Sequence, residues 1–397
     1  MRINYRNLLE HYQRDFAEAS GQLASCFQDK SVKPTDIELG ALWAEIYGWN
    51  EFQDVRRKNR LARDVMEAAG AVGTQVFQNI SGQIVFNAIL DAYEAPEFVF
   101  SKMIPSVPTE FDGEKIAGIS AIGDEALVVG ENDPYPLAGV VEDWIETPRT
   151  RKRGLIVPVT REAIFFDRTG VLLDRCKQVG YWLGYNKEIR AIDCVIDENA
   201  GAVSAMMGGH RYHWKGNSIA TFGNTSGTHN WDNLAGTNTL VDYSDIENAE
   251  LLLDAMTDPE NGIITGVYRA AAKHLVVTSQ LLHTAKQILT ATDLILHAGG
   301  YNASASVNER RSPNSLQTYE IVTSPLLAGR QATDTSWFLG NIQKAYRYME
   351  NWPMQTKEAP SNSHDEFHRD IVQQFRADER GAYATFDPRY MIGSTVA

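Results

Sequence analysis

Cysteine is scarce in this sequence. Its three cysteines, Cys26, Cys176 and Cys194, are too few and too widely spaced for a disulfide framework. The fold must therefore rest on a hydrophobic core, and 397 residues with 43% apolar content are enough to bury one, with room for two or three domains. We expect Cys176 to pack as a small hydrophobic residue, because it falls on the apolar face of a predicted helix.

Long apolar segments are missing as well. No run approaches the roughly 18 apolar residues of a membrane-spanning helix. The start of the chain, MRINYR, is polar and charged, unlike a signal peptide. We therefore expect a soluble protein that is made in a reducing cytoplasm and does not associate with a membrane.

Positive charge is the third shortage. The chain has 37 Lys and Arg residues against 51 Asp and Glu residues, a net charge of −14. Because nucleic-acid binding through bulk electrostatics needs clustered Lys and Arg, this composition argues against it. One short basic cluster stands out: Arg149, Arg151, Lys152 and Arg153. Such a cluster is also compatible with an ordinary solvated loop.

The sequence lacks the motifs of the common catalytic sites. It has no GxSxG nucleophile and no GxxxxGK(S/T) phosphate loop, and HDEFH (364–368) does not match the HExxH order of a zinc protease. One alternative is a metal-dependent enzyme that uses His210, His213 and His229. These histidines have aromatic neighbours: Tyr212, Trp214 and Trp231. The neighbours favour surface contacts instead, so we expect no catalytic residue, no cofactor and no metal ion.

Strand and helix patterns are what the sequence does contain. Four segments follow a fixed order: a strand that runs into a helix (274–289), a strand that stops at Ser324-Pro325 (321–330), an aromatic, strand-rich stretch (336–354) and a hairpin-like segment (375–389). None of them carries a nucleophile, a metal-ligand set or a phosphate cradle. The order of these segments therefore indicates an α+β protein with a structural role.

A long helix is predicted from Val171 to about Ile196, after a strand over 154–160. Apolar residues recur at helical spacing along one side of it: Leu172, Cys176, Val179 and Leu183. Gly180 lies on or beside this face and costs helix propensity. We expect that cost to be tolerated because another backbone approaches closely at this position.

A second helix is predicted from the capping box formed by Ser244 and Glu247. Four apolar residues then fall on one side of this helix: Ile246, Ala249, Leu253 and Met256. We expect that side to face a hydrophobic core.

Residues 111–153 predict a long β-hairpin. Two strand-like pieces (125–130 and 136–146) flank a polar turn, ENDPYP. Because a lone two-stranded hairpin is only marginally stable in water, this one should lie against the body of the chain or against a neighbour. The expected contact residues are its apolar side chains and the basic cluster at its base: Val128, Val129, Val140, Val141, Trp144, Ile145, Arg149, Arg151, Lys152 and Arg153.

The first 70 residues are helix-rich, and their apolar stripe looks thin for an independent core. Two interpretations stay open for them. They form either a small helical domain or an arm that docks on another subunit.

This order of elements resembles the major capsid proteins of tailed bacteriophages, which have the Hong Kong 97 fold. The resemblance covers roughly residues 70–397 and implies a division of the chain into named regions. These are an N-terminal helical arm (1–70), a lead-in to the P-domain (71–110), the E-loop hairpin (111–153), the P-domain with its long spine helix (154–201), the A-domain (202–345) and the closing P-domain strands (346–397).

The resemblance also implies a function. A major capsid protein assembles with copies of itself into hexamers and pentamers of an icosahedral head that encloses double-stranded DNA without sequence-specific binding. Scaffold, portal and decoration proteins would be its further partners. It would be located in the virion after assembly in the host cytoplasm. The alternative within the same fold is an encapsulin-type nanocompartment shell protein, which packages an enzyme.

Overall fold

The computed structural model of the chain describes residues 5–34, 37, 39–48, 71–120, 128–131, 133–135, 142–160, 169–198, 211–223, 231–236, 238–259, 267–291, 293–296, 310–313, 315–327, 329–330, 335–359 and 371–394. The chain divides into two compact units. The first comprises Met1–Pro96, Lys152–Asn186 and Trp352–Arg380. The second comprises Glu97–Arg151, Lys187–Asn351 and Gly381–Ala397.

The α-helices are α1 (Tyr5–Arg14), α2 (Phe16–Gln28), α3 (Leu39–Tyr47), α4 (Ala71–Tyr93), α5 (Phe100–Met103), α6 (Thr169–Val195), α7 (Tyr243–Asp254), α8 (Val267–Ala271), α9 (Leu282–Thr290) and α10 (Ile342–Ala345). Short 3-10 helices cover Ser315–Thr318 and Pro388–Tyr390. None of the described helices is both long enough and apolar enough to span a membrane.

The strands are β1 (Ser106–Pro108), β2 (Lys115–Ala117), β3 (Trp144–Glu146), β4 (Arg151–Thr160), β5 (Tyr212–Trp214), β6 (Asn217–Ile219), β7 (His274–Val277), β8 (Asp293–Leu296), β9 (Arg310–Pro313), β10 (Glu320–Val322), β11 (Trp337–Gly340), β12 (Tyr346–Glu358), β13 (Ile371–Thr385) and β14 (Met391–Ser394). They form sheets with the orders β1-β12-β13-β4, β10-β7-β11-β14, β2-β3-β5-β6 and β8-β9. The predicted α+β class is confirmed.

In the first unit, the N-terminal helices share a core with α4. Tyr12 of α1, Leu23 of α2 and Trp43 of α3 are buried in the same hydrophobic cluster as Ile84 of α4. The apolar stripe that looks thin in the sequence therefore has a partner within the chain. Residues 51–70 lie outside the described part.

Helix α6 confirms the predicted long helix, with bounds within two residues of the expected ones. Cys176 is fully buried, and burial raises the pKa of its thiol to about 12, so it behaves as the small hydrophobic residue that was predicted. A Cβ at Gly180 would overlap the backbone carbonyl oxygen of Ile89 on α4. The predicted close approach of a second backbone at Gly180 is therefore confirmed.

In the second unit, β7 and α9 confirm the predicted strand-then-helix segment, and β10 ends before Ser324 as expected. Strand β7 lies at the centre of its sheet, parallel to β10 and antiparallel to β11. Every residue of β7 and β11 is buried. These strands are therefore covered on both faces, which explains their continuous runs HLVV and WFLG.

The predicted cap of α7 is wrong, because the helix begins before Ser244. The Asp242 carboxylate accepts a hydrogen bond of 2.8 Å from the Ser244 amide, and the Asp245 carboxylate accepts one of 3.0 Å from the Asp242 amide. Aspartate caps a helix as well as serine does. Asp242 and Asp245 therefore form the capping box in place of Ser244 and Glu247, and the helix begins at Tyr243. The predicted apolar side is confirmed, since it is buried at Ile246, Ala249, Leu253 and Met256.

The expected hairpin at 375–389 is also wrong. Residues up to Thr385 continue the single long strand β13, which lies beside β12. The glycine at 381 does not make a turn there. A Cβ at Gly381 would come within 2.7 Å of the carbonyl oxygen of Met349, so the glycine lets β12 approach closely.

Candidate functional site

The root of the predicted hairpin is a small sheet in the second unit. Strands β2 and β3 pair antiparallel, with Lys115 opposite Glu146 and Ile116 opposite Ile145. On its other side, β3 pairs with β5. Ile145 is only 2% exposed as a result. Strand β3 therefore joins the root of the hairpin to β5 in the second unit.

A row of ionisable side chains crosses this sheet. The Lys115 ammonium lies 3.2 Å from one Glu146 carboxylate oxygen, and His213 Nδ1 lies 3.4 Å from the other. Lys115 also sits 5.2 Å from the centre of the Trp144 ring. Burial raises the pKa of Glu146, but Lys115 and His213 outweigh it and lower that pKa on balance. The row therefore stabilises the ionised carboxylate at neutral pH.

Asp143, which precedes β3, binds residues on two neighbouring segments. Its carboxylate accepts hydrogen bonds from Trp214 Nε1 at 2.5 Å and from the Ser120 amide at 2.8 Å. A Cβ at Gly118 would overlap this carboxylate, so a larger residue there would displace the Asp143 side chain. The two sides of the hairpin are therefore held in register above the root.

Below the root, two segments that flank it are tied together. The Thr150 amide and hydroxyl donate to Asp112 Oδ1 at 2.9 and 3.0 Å, and the Glu114 amide donates to Thr147 Oγ1 at 2.9 Å. Phe111 stays 62% exposed beside this join. Its aromatic ring is thus exposed next to segments that are held together by hydrogen bonds.

The predicted turn of the hairpin, which we call the tip, lies between residues 128 and 135. The Asp133 amide donates a hydrogen bond of 3.1 Å to the carbonyl oxygen of Gly130. Val128 is 102% exposed and Tyr135 is 85% exposed, while Glu131 is also exposed. Large apolar side chains therefore stand in solvent next to acidic ones.

The basic cluster lies at and before the start of β4. Lys152 reaches to 3.7 Å of the Asp378 carboxylate, which also accepts from Arg376 Nε at 3.1 Å and Trp352 Nε1 at 3.3 Å. Asp378 is only 1% exposed, so this pairing neutralises a buried charge. The cluster is therefore more than a solvated loop.

The expected contact residues differ in their exposure to solvent. Val128, Val129, Trp144, Arg149, Arg151, Lys152 and Arg153 keep exposed or half-exposed positions. Ile145 is a correction, because β5 covers it within its own chain. Val140 and Val141 lie outside the described residues.

The histidine alternative gains no metal site in the described part of the chain. His213 is buried on β5, and His210 and His229 lie outside the described residues. In the ranges that the structure describes, no three His, Cys, Asp or Glu side chains are placed to hold a metal ion.

The aromatic residues around His213 are buried, so the expectation of surface contacts was wrong. The ring centre of Trp231 lies 6.2 Å from that of Tyr212 and 5.9 Å from that of Trp214. They pack edge to face, an arrangement that stabilises aromatic pairs. These rings form part of the hydrophobic core that the small sheet covers.

Arg389 is a residue that no sequence pattern singles out. It is 3% exposed, and its guanidinium pairs with Asp387 at 2.9 Å and Asp258 at 3.7 Å. It also donates a bond of 2.6 Å to the carbonyl oxygen of Ile119, at the start of the hairpin, and lies 5.2 Å from the Tyr268 ring centre. Its partners are far apart in sequence, and no local motif could reveal them.

The chain matches one family of known proteins. A family model described as "Phage capsid protein" matches residues 145–393. No curated protein matches the chain.

Solved structures include similar chains at low sequence identity. The capsid of an empty GTA particle is 12% identical, with 76% of this chain and 91% of that chain covered at a TM-score of 0.43. A virus-like particle from Pyrococcus furiosus is 8% identical, with 78% and 98% covered at 0.41. A chain of Gordonia phage Cozz is 11% identical, with 76% and 86% covered at 0.42.

The family match runs from β3 to β14 and covers more than half of the sequence. It includes β4, α6 and the strands and helices of the second unit from β5 onward. The chain therefore belongs to the phage capsid protein family.

Proposed function

We propose that this chain is the major head protein of a phage. Copies of it assemble into the hexamers and pentamers of an icosahedral shell that encloses double-stranded DNA. The family match supports the role of a shell protein. The observation that carries the assembly step is the hairpin tip, whose Val128 and Tyr135 side chains are almost wholly exposed.

In this proposal the named regions of the Hong Kong 97 fold apply to the chain. Residues 111–153 are the E-loop, α6 is the spine helix of the P-domain, and 202–345 form the A-domain. The E-loop lies over an adjacent subunit, where its exposed apolar and basic side chains make contact.

The energy of assembly comes from many small contacts. Burying one exposed Val or Tyr side chain contributes about 1.5–3 kcal/mol. A contact that runs from one surface to a different surface of the next copy can repeat until it closes. Closure turns weak single contacts into a stable shell.

The charge of the chain suits a container for DNA. A net charge of −14 gives no bulk attraction for phosphates, so packaged DNA does not adhere to the wall. The protein is structural in this proposal and performs no catalysis. It resides in the virion after assembly in the host cytoplasm, with scaffold, portal and decoration proteins as further partners.

Negative-stain electron microscopy of the purified chain, with light-scattering mass on the same sample, tests the proposal. We expect closed shells, or rings of five and six copies. A sample that stays monomeric at all concentrations, both alone and with its scaffold protein present, would contradict it. The ratio of absorbance at 260 and 280 nm identifies the contents, because a packaged enzyme instead of DNA would indicate a nanocompartment.

A further inference from the structure

The second unit contains an open cavity of about 740 Å³ at the end of α7. Helix α8, the residues before β7 and the start of β10 line its other sides. Its volume falls within the range of small-ligand sites, about 300–1,000 Å³. Its ionisable lining residues are Glu250, Asp254, Arg269, Lys273, Tyr319 and Glu320.

Hydrogen bonds fix the floor of this cavity. The Glu250 carboxylate accepts one of 2.7 Å from the Arg269 guanidinium and one of 2.6 Å from the Tyr319 hydroxyl. The Asp254 carboxylate accepts another of 2.6 Å from the same guanidinium. One network thus joins α7, α8 and the residue before β10, and it sets the shape of the cavity before any ligand binds.

The floor carries more negative than positive charge. A single guanidinium, that of Arg269, is shared between the Glu250 and Asp254 carboxylates. The hydrogen bond to Asp254 and the charges of both carboxylates raise the pKa of Arg269. Burial, the hydrogen bond to Glu250 and the charge of Glu250 raise the pKa of Tyr319. The carboxylates therefore outweigh Arg269, and the floor attracts a further cation.

The rim of the cavity adds one charge of each sign. Glu320 and Lys273 are exposed there, and neither forms an ion pair with another side chain in the described part of the chain. The Asp254 side chain is 40% exposed, so its carboxylate is accessible as well. The lining thus has three carboxylates and two cations, and a ligand with one positive charge would balance it.

The lining favours an organic cation over a metal ion. Among the described residues, no three His, Cys, Asp or Glu side chains are placed to hold a metal ion. An ammonium or guanidinium group needs no such cage, because its N–H groups donate hydrogen bonds to single carboxylates. Ala270 and Ala272 line the same cavity, and their small side chains leave room for the carbon chain of such a ligand.

We propose that this cavity binds the ammonium or guanidinium group of an organic cation against Glu320 and Asp254. The group belongs either to a free polyamine or to a Lys or Arg side chain of another copy, since both have this chemistry. The inference goes beyond the proposed function, because every lining residue belongs to one chain and binding needs no shell.

Ligand-observed NMR on the unassembled chain tests the site. The probe is putrescine, and the control is butanediol, which has the same carbon chain without the charges. Both titrations are run at constant ionic strength, so that screening of the acidic chain is the same throughout. We expect saturable binding of putrescine and no binding of the diol. A wild-type chain that does not bind putrescine would overturn the proposal.

Removing two carboxylates from the cavity should weaken binding. The site variant carries Asp254→Asn and Glu320→Gln, which keep the size of both side chains, and we expect its dissociation constant to rise about threefold. The control carries Asp174→Asn and Glu247→Gln, at exposed sites that do not line the cavity. It changes the net charge by the same amount and should bind putrescine like the wild type. Equal weakening in both variants would reveal only a general attraction to the acidic chain and would overturn the site.

Removing the lysine of the rim should have the opposite effect. Lys273→Gln takes away a charge that repels the ligand, so we expect the dissociation constant to fall about twofold. Lys286→Gln, at an exposed site on α9 outside the cavity, is the control and should leave the constant unchanged. Urea denaturation of each variant checks that it is folded. Equal tightening in the two lysine variants would also count against the site.

Assembled shells distinguish the two sources of the cation. If shells no longer bind putrescine whereas the unassembled chain does, a Lys or Arg side chain of another copy fills the cavity. If both forms bind it equally, the ligand is a free polyamine.

The two proposals fail in different ways. A chain that binds putrescine but never forms shells contradicts only the proposed function. A chain that forms shells but does not bind putrescine when unassembled contradicts only the cation site.

Discussion

The contact between α4 and α6 and the tip of the hairpin show opposite uses of side chains. At the helix contact, Gly180 lies so close to Ile89 that no Cβ fits, and Cys176 and Leu183 are buried around it. At the tip, Val128 and Tyr135 are almost fully exposed. The helix contact is complete within one chain, whereas the apolar side chains of the tip lie in solvent, where we propose that a neighbouring copy covers them.

This difference separates folding from assembly. Changes at buried contacts should unfold the subunit, and changes at the tip should leave it folded but prevent assembly. The predictions below test that separation, from the largest expected loss of folding free energy to the smallest.

Arg389→Ala should have the largest effect on the subunit. Removing the guanidinium takes a cation away from the Asp258 carboxylate 3.7 Å from it, and Asp258 is only 2% exposed. We expect a loss of about 3–5 kcal/mol in the free energy of unfolding, measured by urea denaturation. The exposed Arg175→Ala is the control and should change it by no more than about 0.5 kcal/mol. Equal losses of unfolding free energy in the two variants would contradict the stabilising role of Arg389.

Gly180→Ala should come next. The new methyl group would overlap the Ile89 carbonyl oxygen, so α4 and α6 would have to separate, at a cost of about 3 kcal/mol. Gly21 on α2 is the matched control, because nothing lies within 4 Å of its Cβ position. Gly21→Ala should stabilise the helix by about 0.5–1 kcal/mol. If both variants shifted the denaturation midpoint in the same direction, the close approach at Gly180 would be contradicted.

His274 should make stability depend on pH. Burial lowers its pKa, Glu320 raises it and Lys273 lowers it, with a net decrease. Its Nδ1 accepts a hydrogen bond of 3.3 Å from the Ile342 amide, which also favours the neutral ring. Because the unfolded chain binds this proton more readily, stability should decline as pH falls below the ordinary histidine value of about 6.5.

The matching measurement is the slope of unfolding free energy against pH between 5 and 7. His274→Asn keeps an acceptor but does not titrate, so the slope should flatten. The exposed His283→Asn should leave the slope as in the wild type. An unchanged slope in His274→Asn would assign the pH dependence to other groups.

Glu146→Gln should have a smaller effect, because the Glu146 side chain is 29% exposed. The pKa of Glu146 is lowered in the folded chain, so its contribution is present above the ordinary value and lost as pH falls through the lower folded one. At pH 7 we expect a loss below about 1 kcal/mol that vanishes in acid. Glu142→Gln, at an exposed site on the same hairpin, is the control. A loss that persists below pH 3 would contradict the charge row.

Replacing residues 128–135 with a Gly–Ser segment should have almost no effect on folding. The replaced side chains are largely exposed, whereas the strands of the root stay in place. We expect an unchanged urea midpoint together with a loss of closed shells by electron microscopy. A normal yield of shells would remove the tip from the assembly interface.

The sequence predicted those parts of the fold that have a local pattern. Apolar periodicity indicated α6 and its Gly180 contact, and the run HLVV followed by an amphipathic segment indicated β7 and α9. It failed where the partner is distant. The N-terminal stripe appeared thin because α4 completes its core. Trp231 appeared to be a surface residue, although it is buried against Tyr212 and Trp214 of β5.

The candidate site was predictable to a similar degree. Alternating apolar residues and a polar turn pointed to the hairpin, and the basic cluster was visible as a run of letters. The burial of Ile145 was not, because β5, which covers it, follows more than sixty residues later in the chain. The role of Arg389 depends on Asp258, Asp387 and Ile119 meeting in space, which only the fold brings about.

A cryo-electron microscopy map of the assembled particles would test the central claim most directly, since it locates residues 128–135 of each copy. We expect density for the tip on a neighbouring subunit. A tip that packs on its own subunit, or that remains in solvent in a closed shell, would contradict it.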